Sequence, residues 1–479
     1  MTVGRLREPS RSRAIAAYRP GIRWATERVA AIGTRVRSTQ SGEIRELPGG
    51  QQEMPETSLR VLVIGGGIGG LCLAQGLRKA GVDVAVYERD RTRTDRLEGY
   101  RIHIDPHGAK ALHACLPPET WETFVRSTVD LGSFRFLTED LQELMVMEQD
   151  ARGAAGSGPT ERSHAIDRVT LREVLLTDLD EVLHYDKKFE RYERSPDGEI
   201  TAHFADGTTA TGDVLVGADG VNSPVRKQYL PHVDRVDTDA YGIGLKLPLT
   251  EEVRAWLQPP LSTGRSMIMA PAPFFLSISV FDRTAAMDDI PETRGDDAYV
   301  GSAFVIRRSA CPANIEALDG PELKGLIERL VGDWHPQLRR LIAESDPESA
   351  LLVPYKTSVP VKPWETTNVT LLGDAVHSMS PVGGMGGNTA LRDADLLCRQ
   401  LVSARDGKAA TTEAIRVFEA GMLEYGFAAV RKALQYQKQG LQSNKVAVSL
   451  SRVFFRAMNG MMQRKWQPGR EPARSAAGR

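Results

Sequence analysis

Two glycine-rich stretches lie more than three hundred residues apart in this 479-residue chain. The first, Gly65-Gly66-Gly67-Ile68-Gly69-Gly70, has the G-x-G-x-x-G spacing of a turn that cradles a pyrophosphate. In such a turn Gly65 permits the sharp bend, Gly67 lets the backbone approach the phosphates, and Gly70 lets helix and strand pack closely. The second stretch runs from Gly373-Asp374 through Pro381, Gly384, Gly386 and Gly387 to Asn388. Its glycines leave backbone N–H groups open towards a planar ring. Asp374 is placed to accept hydrogen bonds from sugar-chain hydroxyls. A helix predicted from Thr389 onward would turn its positive end towards that ring.

The elements that must position these groups are legible around them. Leu59 to Ile64 is a short apolar run suited to a buried parallel strand. A helical pattern follows and stops at Gly81, and Val82 to Tyr87 forms a second strand closing on Glu88. This is a complete βαβ opening. Glu88 is expected to accept hydrogen bonds from both ribose hydroxyls and to disfavour a 2′-phosphate. Asp167 reads as the N-cap of a helix, with Arg168 in its first turn facing back at a cofactor or simply out to solvent. Ile200 to Thr208 reads as a hairpin around Asp206-Gly207. A strand over 213–216 then ends in Gly217-Ala218-Asp219-Gly220, which sets the Asp219 carboxylate at the strand edge where α/β sheets bind ligands; a turn capped by Asp219 is the alternative. Val369 to Leu372 is another buried strand, leading into Gly373-Asp374. The first motif alone does not separate FAD from NAD. Paired with a ring-binding loop, it points to one extended cofactor held at both ends, and an FAD fits both.

These motifs, in this order, resemble the single-component FAD-dependent monooxygenases related to para-hydroxybenzoate hydroxylase, salicylate hydroxylase and the tetracycline-inactivating flavoenzymes. The resemblance runs from Leu59 to about Leu401. It implies an α/β fold: a Rossmann-like FAD-binding domain with an inserted antiparallel β-sheet substrate domain and C-terminal helices. It also implies NAD(P)H as a transient reductant, O2 as co-substrate, and transfer of one oxygen atom from a C4a-hydroperoxyflavin to an aromatic or polycyclic small molecule, by hydroxylation or epoxidation. Met385 stands where many relatives carry Gln, and Gly387 is an additional glycine in the loop. A flavin-dependent halogenase, a reductase or dehydrogenase, and a non-catalytic FAD-binding protein are the rival readings. The halogenases' Trp-x-Trp-x-Ile-Pro stretch does not occur here.

Residues 232–365 break the nucleotide-binding pattern. Four segments there, beginning at Tyr241, Ser266, Phe274 and Ala298, read as strands of a sheet with one covered face. Such a sheet would wall the substrate site. In the strand-like stretch from Tyr100 to Asp105, alternation puts Arg101, His103 and Asp105 on one face. Arg101 is the candidate beside the flavin, and His103 the candidate to orient or deprotonate a phenol; a half-exposed polar face is an equal alternative. Tyr241 and His164 are weaker candidates.

The domain layout that follows is an Arg-rich extension over 1–57, expected to be disordered; a first FAD-binding part over 58–231; the substrate sheet over 232–365; the flavin loop and helix over 366–401; C-terminal helices over 402–466; and a disordered tail over 467–479. Lys and Arg number 61 against 62 Asp and Glu, so no nucleic-acid partner is expected. No apolar run is long enough to span a bilayer, and no membrane partner is expected. For the final helix, packing on the core is favoured over a membrane surface. The scattered Cys72, Cys115, Cys311 and Cys398 show no metal-ligand spacing, so no metal site is expected and reduced thiols suggest a cytoplasmic protein, as monomer or homodimer. The first 53 residues hold ten Arg, five Glu and no Lys, with no periodic apolar face to bury. A chain starting at Met54 is therefore predicted to fold and to retain its flavin; a truncated protein that is insoluble or colourless would refute this.

Overall fold

In the computed structural model, residues 59–93, 95, 100–129, 131–148, 158–283 and 298–465 are described. The expectations for 1–57 and for 467–479 lie outside them.

The opening βαβ unit forms as its pattern requires. β1 (Arg60–Ile64) leads through the glycine turn into α1 (Ile68–Lys79) and back into β2 (Asp83–Tyr87). The chain continues through β3 (Arg101–Ile104), α2 (Pro106–Cys115), α3 (Pro118–Arg126), β4 (Phe134–Leu137), β5 (Glu143–Met147), β6 (His164–Asp167), α4 (Arg168–Leu176) and β7 (Leu183–His184). Then come β8 (Phe189–Arg194), β9 (Ile200–Phe204), β10 (Thr209–Gly212), β11 (Val214–Gly217) and α5 (Pro224–Tyr229). A long excursion follows: β12 (Arg235–Pro248), α6 (Glu251–Trp256), β13 (Arg265–Ile268), β14 (Phe274–Asp282), β15 (Ala298–Arg307), α7 (Gly320–Leu330), α8 (Pro336–Ala343) and β16 (Asp346–Ser358). The chain closes with β17 (Val369–Leu371), α9 (Asp374–His377), α10 (Gly386–Arg405), α11 (Thr411–Gly440) and α12 (Lys445–Lys465).

One five-stranded parallel sheet, in the order β17-β11-β1-β2-β7, holds the cofactor side together. Its central strands are buried on both faces, which is why they read as continuous apolar runs. β17 returns to pair with β11 some 150 residues later (Leu215 opposite Val369), so the two glycine-rich stretches end at the same sheet edge. The hairpin around Asp206-Gly207 forms as β9-β10, and Asp167 caps α4 by accepting from the N–H of Val169 at 2.8 Å.

The excursion builds a seven-stranded sheet, in the order β16-β12-β15-β14-β13-β4-β5. On one face Leu276, Ile278, Val300 and Phe304 join Leu323 and Leu338 of α7 and α8 in a separate apolar core. The strands of the insertion pair antiparallel throughout, as expected. The sheet extends beyond the expected bounds: it recruits β4 and β5 from outside 232–365, and β4 runs parallel to β13, which makes the whole sheet mixed. These two strands are only 4 and 5 residues long. Their partner is chosen by long-range packing, which local pattern does not encode.

α12 packs on this sheet through one side. Phe455 stacks on Phe136 at 4.7 Å, Arg452 pairs with Glu139, and Arg456 donates to Gln142 at 3.0 Å. Its other side leaves Leu450, Val453 and Phe454 exposed. Among the described residues no helix is long and apolar enough to cross a membrane.

Candidate functional site

A cavity of about 810 Å³ opens at the C-terminal ends of β1, β2, β11 and β17. Gly65, Gly67 and Glu88 line one end. Asp219, Asp374 and Arg168 line the middle, and Pro381, Gly384, Gly386 and Gly387 line the far end with Arg101 and His103 of β3. Two expected site residues do not face it. Gly70 serves the packing role anticipated for it: a Cβ there would lie 2.2 Å from the Gly65 carbonyl oxygen. Asn388 is a clamp. Its Oδ1 accepts from the N–H of Asp105 at 2.8 Å, while Nδ2 donates to the carbonyls of His103 (2.8 Å) and Gly384 (3.0 Å). It ties β3 to the glycine loop and acts on a ligand only through that link.

The residues present fit an FAD. Gly65 has φ +112°, and a side chain there would meet the Ala218 carbonyl at 2.4 Å. Nothing lies within 4 Å of a Cβ at Gly67, so that backbone is bare to the cavity. The Glu88 carboxylate is aimed by two backbone donors, Gly66 N–H at 2.6 Å and Asp90 N–H at 3.0 Å, and keeps lone pairs for ribose hydroxyls. Asp219 accepts from the N–H of Val225 at 3.2 Å through Oδ2, but its buried Oδ1 has no hydrogen-bond partner among the described residues. Burial pushes this carboxyl above the usual range, against the pull of Ser223 and the Val225 N–H. An unmatched buried acceptor of this kind calls for a donor such as a ligand hydroxyl.

Asp374 is open to the cavity yet walled by protein. That burial raises its carboxyl above the usual range, while His377, Arg235 and Arg168 pull it down. Beneath it sits a buried network. Asp393 accepts from Gly373 N–H at 2.8 Å, from His377 Nε2 at 2.6 Å and from Tyr425 OH at 2.7 Å. Burial alone would lower the His377 imidazole, but Asp393 and Asp374 outweigh it and the net shift is upward. The turn facing the cofactor is thus tied to α10 and α11. The 20-residue α10 points its N-terminal N–H groups at the cavity end where Gly386 and Gly387 sit.

β3 pairs with β6, and this sets Arg101 and His103 over the glycine loop; the His103 Cβ is 3.8 Å from a Cβ built on Gly384. Burial first, then Arg265 and Arg101, drive the His103 imidazole down to about 3. It is neutral at ordinary pH and a weak base. Arg265 of β13, not singled out from the sequence, stands next to it, with Nη1 3.5 Å from His103 Nδ1. Arg89, Lys187 and Lys188 at the Glu88 end were also missed. The Asp186-Lys187-Lys188 run was the only signal, and its relevance depends on β7 docking beside β2. Tyr241 and His164 are structural: Tyr241 donates to Glu316 at 2.5 Å, and His164 contacts Thr128 (3.1 Å) and the Pro159 carbonyl (2.7 Å). Among the described residues no cluster of His, Cys, Asp or Glu suits a metal.

Comparison with known proteins agrees with this geometry. An NAD(P)-binding Rossmann-like domain matches residues 63–127, and a family described as FAD binding domain matches 328–417. A solved structure from Photorhabdus luminescens subsp. laumondii, described as an FAD-containing monooxygenase, is 34% identical with a TM-score of 0.73, covering 81% of this chain and 100% of that one. This chain belongs to the FAD-dependent monooxygenases. A dual O-methyltransferase/FAD-dependent monooxygenase of Cercospora beticola is 32% identical over 76% of this chain and 44% of the relative. An FAD-dependent monooxygenase of Trichoderma harzianum is 28% identical over 81% of this chain and 94% of the relative. The chain spans less than half the length of the first curated relatives it matches.

Two outcomes are expected of this site. Asp374→Ala should weaken FAD binding roughly ten- to a hundredfold, the worth of one charge-assisted hydrogen bond. Equilibrium titration of the folded apoprotein with FAD measures this, and unchanged affinity would make Asp374 merely structural. The His377–Asp393 pair should show in the pH dependence of stability. The folded imidazole lies above its unfolded value of about 6.5, so its contribution is complete below that pH and is lost as pH rises through the folded value. The urea midpoint gap between wild type and His377→Gln should therefore shrink with rising pH; a constant gap would contradict this.

Proposed function

We propose that this chain is an NAD(P)H-consuming monooxygenase that inserts one oxygen atom into an aromatic or polycyclic small molecule, by hydroxylation or epoxidation. The observation that carries the reading is a sheet face of small side chains turned towards β3, the strand that stands over the glycine loop. In the register of the mixed sheet, Ser277 lies opposite Ala303, Ser279 opposite Gly301, and Ala303 opposite Gly244. These small side chains share the face turned away from the α7–α8 core. Tyr100 packs on Gly244, and Tyr299 OH lies 3.4 Å from Asp167 Oδ2, so that face looks towards β3 and β6. Phe275, Phe281 and Phe304, by contrast, are fully buried core.

When bound, FAD supplies the redox chemistry, taking reducing equivalents from NAD(P)H and activating O2. The chain's own groups bind, orient and shield. In this reading the α1 N-terminus and the bare backbone at Gly67 hold the pyrophosphate, and Glu88 holds the adenosine ribose. Asp374 and Asp219 accept from hydroxyls of the chain between the rings, with Arg168 adding positive charge. N–H groups at Gly386 and Gly387, at the positive end of α10, stabilise negative charge on the ring edge. Arg101 and His103 face the reacting region. With its imidazole near 3, His103 orients a substrate hydroxyl rather than stripping its proton. The sheet keeps water from the reacting centre, a requirement for oxygen transfer that simple dehydrogenation does not share.

A relative named zeaxanthin epoxidase (26% identical, Spinacia oleracea) supports keeping epoxidation beside hydroxylation. Four free cysteines suit a cytoplasmic setting, as a monomer or homodimer. The decisive experiment supplies NAD(P)H and 18O2 with a library of aromatic compounds. Substrate-stimulated NAD(P)H oxidation with one 18O atom per product is expected. Product oxygen drawn only from water, or no substrate dependence, would move the assignment to a dehydrogenase, a reductase or a binding protein.

A further inference from the structure

Next to His103, at the far end of the cavity, stands a positive charge that has no counter-charge among the described residues. Arg265 is half-buried, and no described carboxylate pairs with it. Its neighbours are the Phe134 ring, 5.1 Å from the guanidinium, and the His103 ring. Its Nε is buried without a hydrogen-bond partner, and so is His103 Nε2. Burial alone lowers this guanidinium, to about 10, so it stays charged at neutral pH. A desolvated cation with nothing opposite it is costly unless an anion completes the site.

The same contact favours one tautomer of His103. An arginine only donates, so Nδ1, 3.5 Å from Arg265 Nη1, is placed to accept, which leaves the proton of the neutral imidazole on Nε2. In that tautomer Arg265 and His103 Nε2 offer donors beside a loop expected to carry the flavin ring. Around them lies an apolar shelf. β13 and β4 run in parallel register, with Arg265 opposite Phe134 and Met267 opposite Phe136, so all four side chains share one face. Phe136 is backed by Phe455 of α12, stacked at an interplanar angle of 13°.

We propose that Arg265, with His103 as second donor, is the substrate-anchoring site, and that it selects aromatic compounds carrying an anionic oxygen, a ring oxyanion or a carboxylate, which lie on the Phe134–Phe136–Met267 shelf. The proposal rests on the monooxygenase reading and deepens it. It removes the need for a protein base, because the compound binds already ionised under the guanidinium. It also assigns Arg265 a function distinct from holding FAD, since Arg265 is not among the residues that line the FAD cavity.

Isothermal titration of the FAD-loaded full chain tests this without NAD(P)H or turnover. The probes are 2-hydroxy-1,4-naphthoquinone (a ring oxyanion at neutral pH), 2-naphthoate, and their uncharged counterparts 2-methoxy-1,4-naphthoquinone and methyl 2-naphthoate. At least one anion should bind roughly ten- to a hundredfold more tightly than its neutral counterpart. Which anion wins separates the ring oxyanion from the carboxylate. The preference should vanish in Arg265→Gln and largely survive in Arg265→Lys, with FAD content and flavin spectrum unchanged in both. Equal binding of anion and neutral counterpart by wild type overturns the proposal, whatever the variants do. A preference that persists in Arg265→Gln overturns it too. So does a preference-free Arg265→Gln effect seen only as a shifted flavin potential, which would assign the charge to the flavin. Anion preference in a protein that incorporates no 18O would remove the oxygenase reading and leave this site standing.

Discussion

Three backbone segments converge at one point where no side chain fits. The Gly65 turn after β1, the first turn of α1 at Gly70, and the Ala218 turn after β11 touch backbone to backbone. A Cβ at Gly65 would sit 2.4 Å from the Ala218 carbonyl, and one at Gly70 would sit 2.2 Å from the Gly65 carbonyl. This contact lets a helix N-terminus and two strand ends open into the same space. Everything that follows in the cavity is referenced to it. The Glu88 carboxylate is aimed by Gly66 of that turn, and Asp219 belongs to the segment pressed against it.

The far end of the cavity is fixed by polar clamps rather than by glycine contacts. Asp393 gathers Gly373, His377 and Tyr425, which joins the turn after β17 to two long helices. Asn388 gathers Asp105, His103 and Gly384, which joins β3 to the glycine loop. Arg226, buried at 5% exposure, donates to the Ala375 carbonyl at 2.7 Å and bridges the β11 and β17 turns. Each clamp centres on a buried side chain, Asp393, Asn388 or Arg226, so its loss leaves polar groups unmatched and loosens the geometry of the site above it. A loop rich in glycine has no stiffness of its own. These side chains supply it.

The two halves of the site obey different rules. The cofactor side is made of strand ends and backbone N–H groups, a chemistry that tolerates many side chains around it. The facing side is made of side chains: small ones at Ser277, Ser279 and Ala303 and aromatic ones at Phe134 and Phe136 on the sheet, with Arg265 of that sheet beside His103 of β3.

The cofactor side was legible in the sequence because its signals are local. A strand, a glycine turn, a helix and a terminal Glu88 lie within thirty residues, and the Gly373 to Asn388 loop carries its spacing in one stretch. The fold class followed from those motifs and their order. Even there, the sequence did not separate residues that face the cavity, such as Gly384, from Asn388, which only holds the loop, because spacing records position and not direction. The substrate side was set by tertiary structure alone. Phe134 and Arg265 are 131 residues apart and meet only because β4 pairs in parallel with β13, a choice made by packing over the whole sheet. Lys187 and Lys188 reach the cavity only because β7 docks beside β2. His103 had the right residue type for acid–base work, but its burial and the arginines beside it lower its imidazole and leave it a weak base. Charge environment is a property of neighbours in space, and the chain's linear order does not contain it.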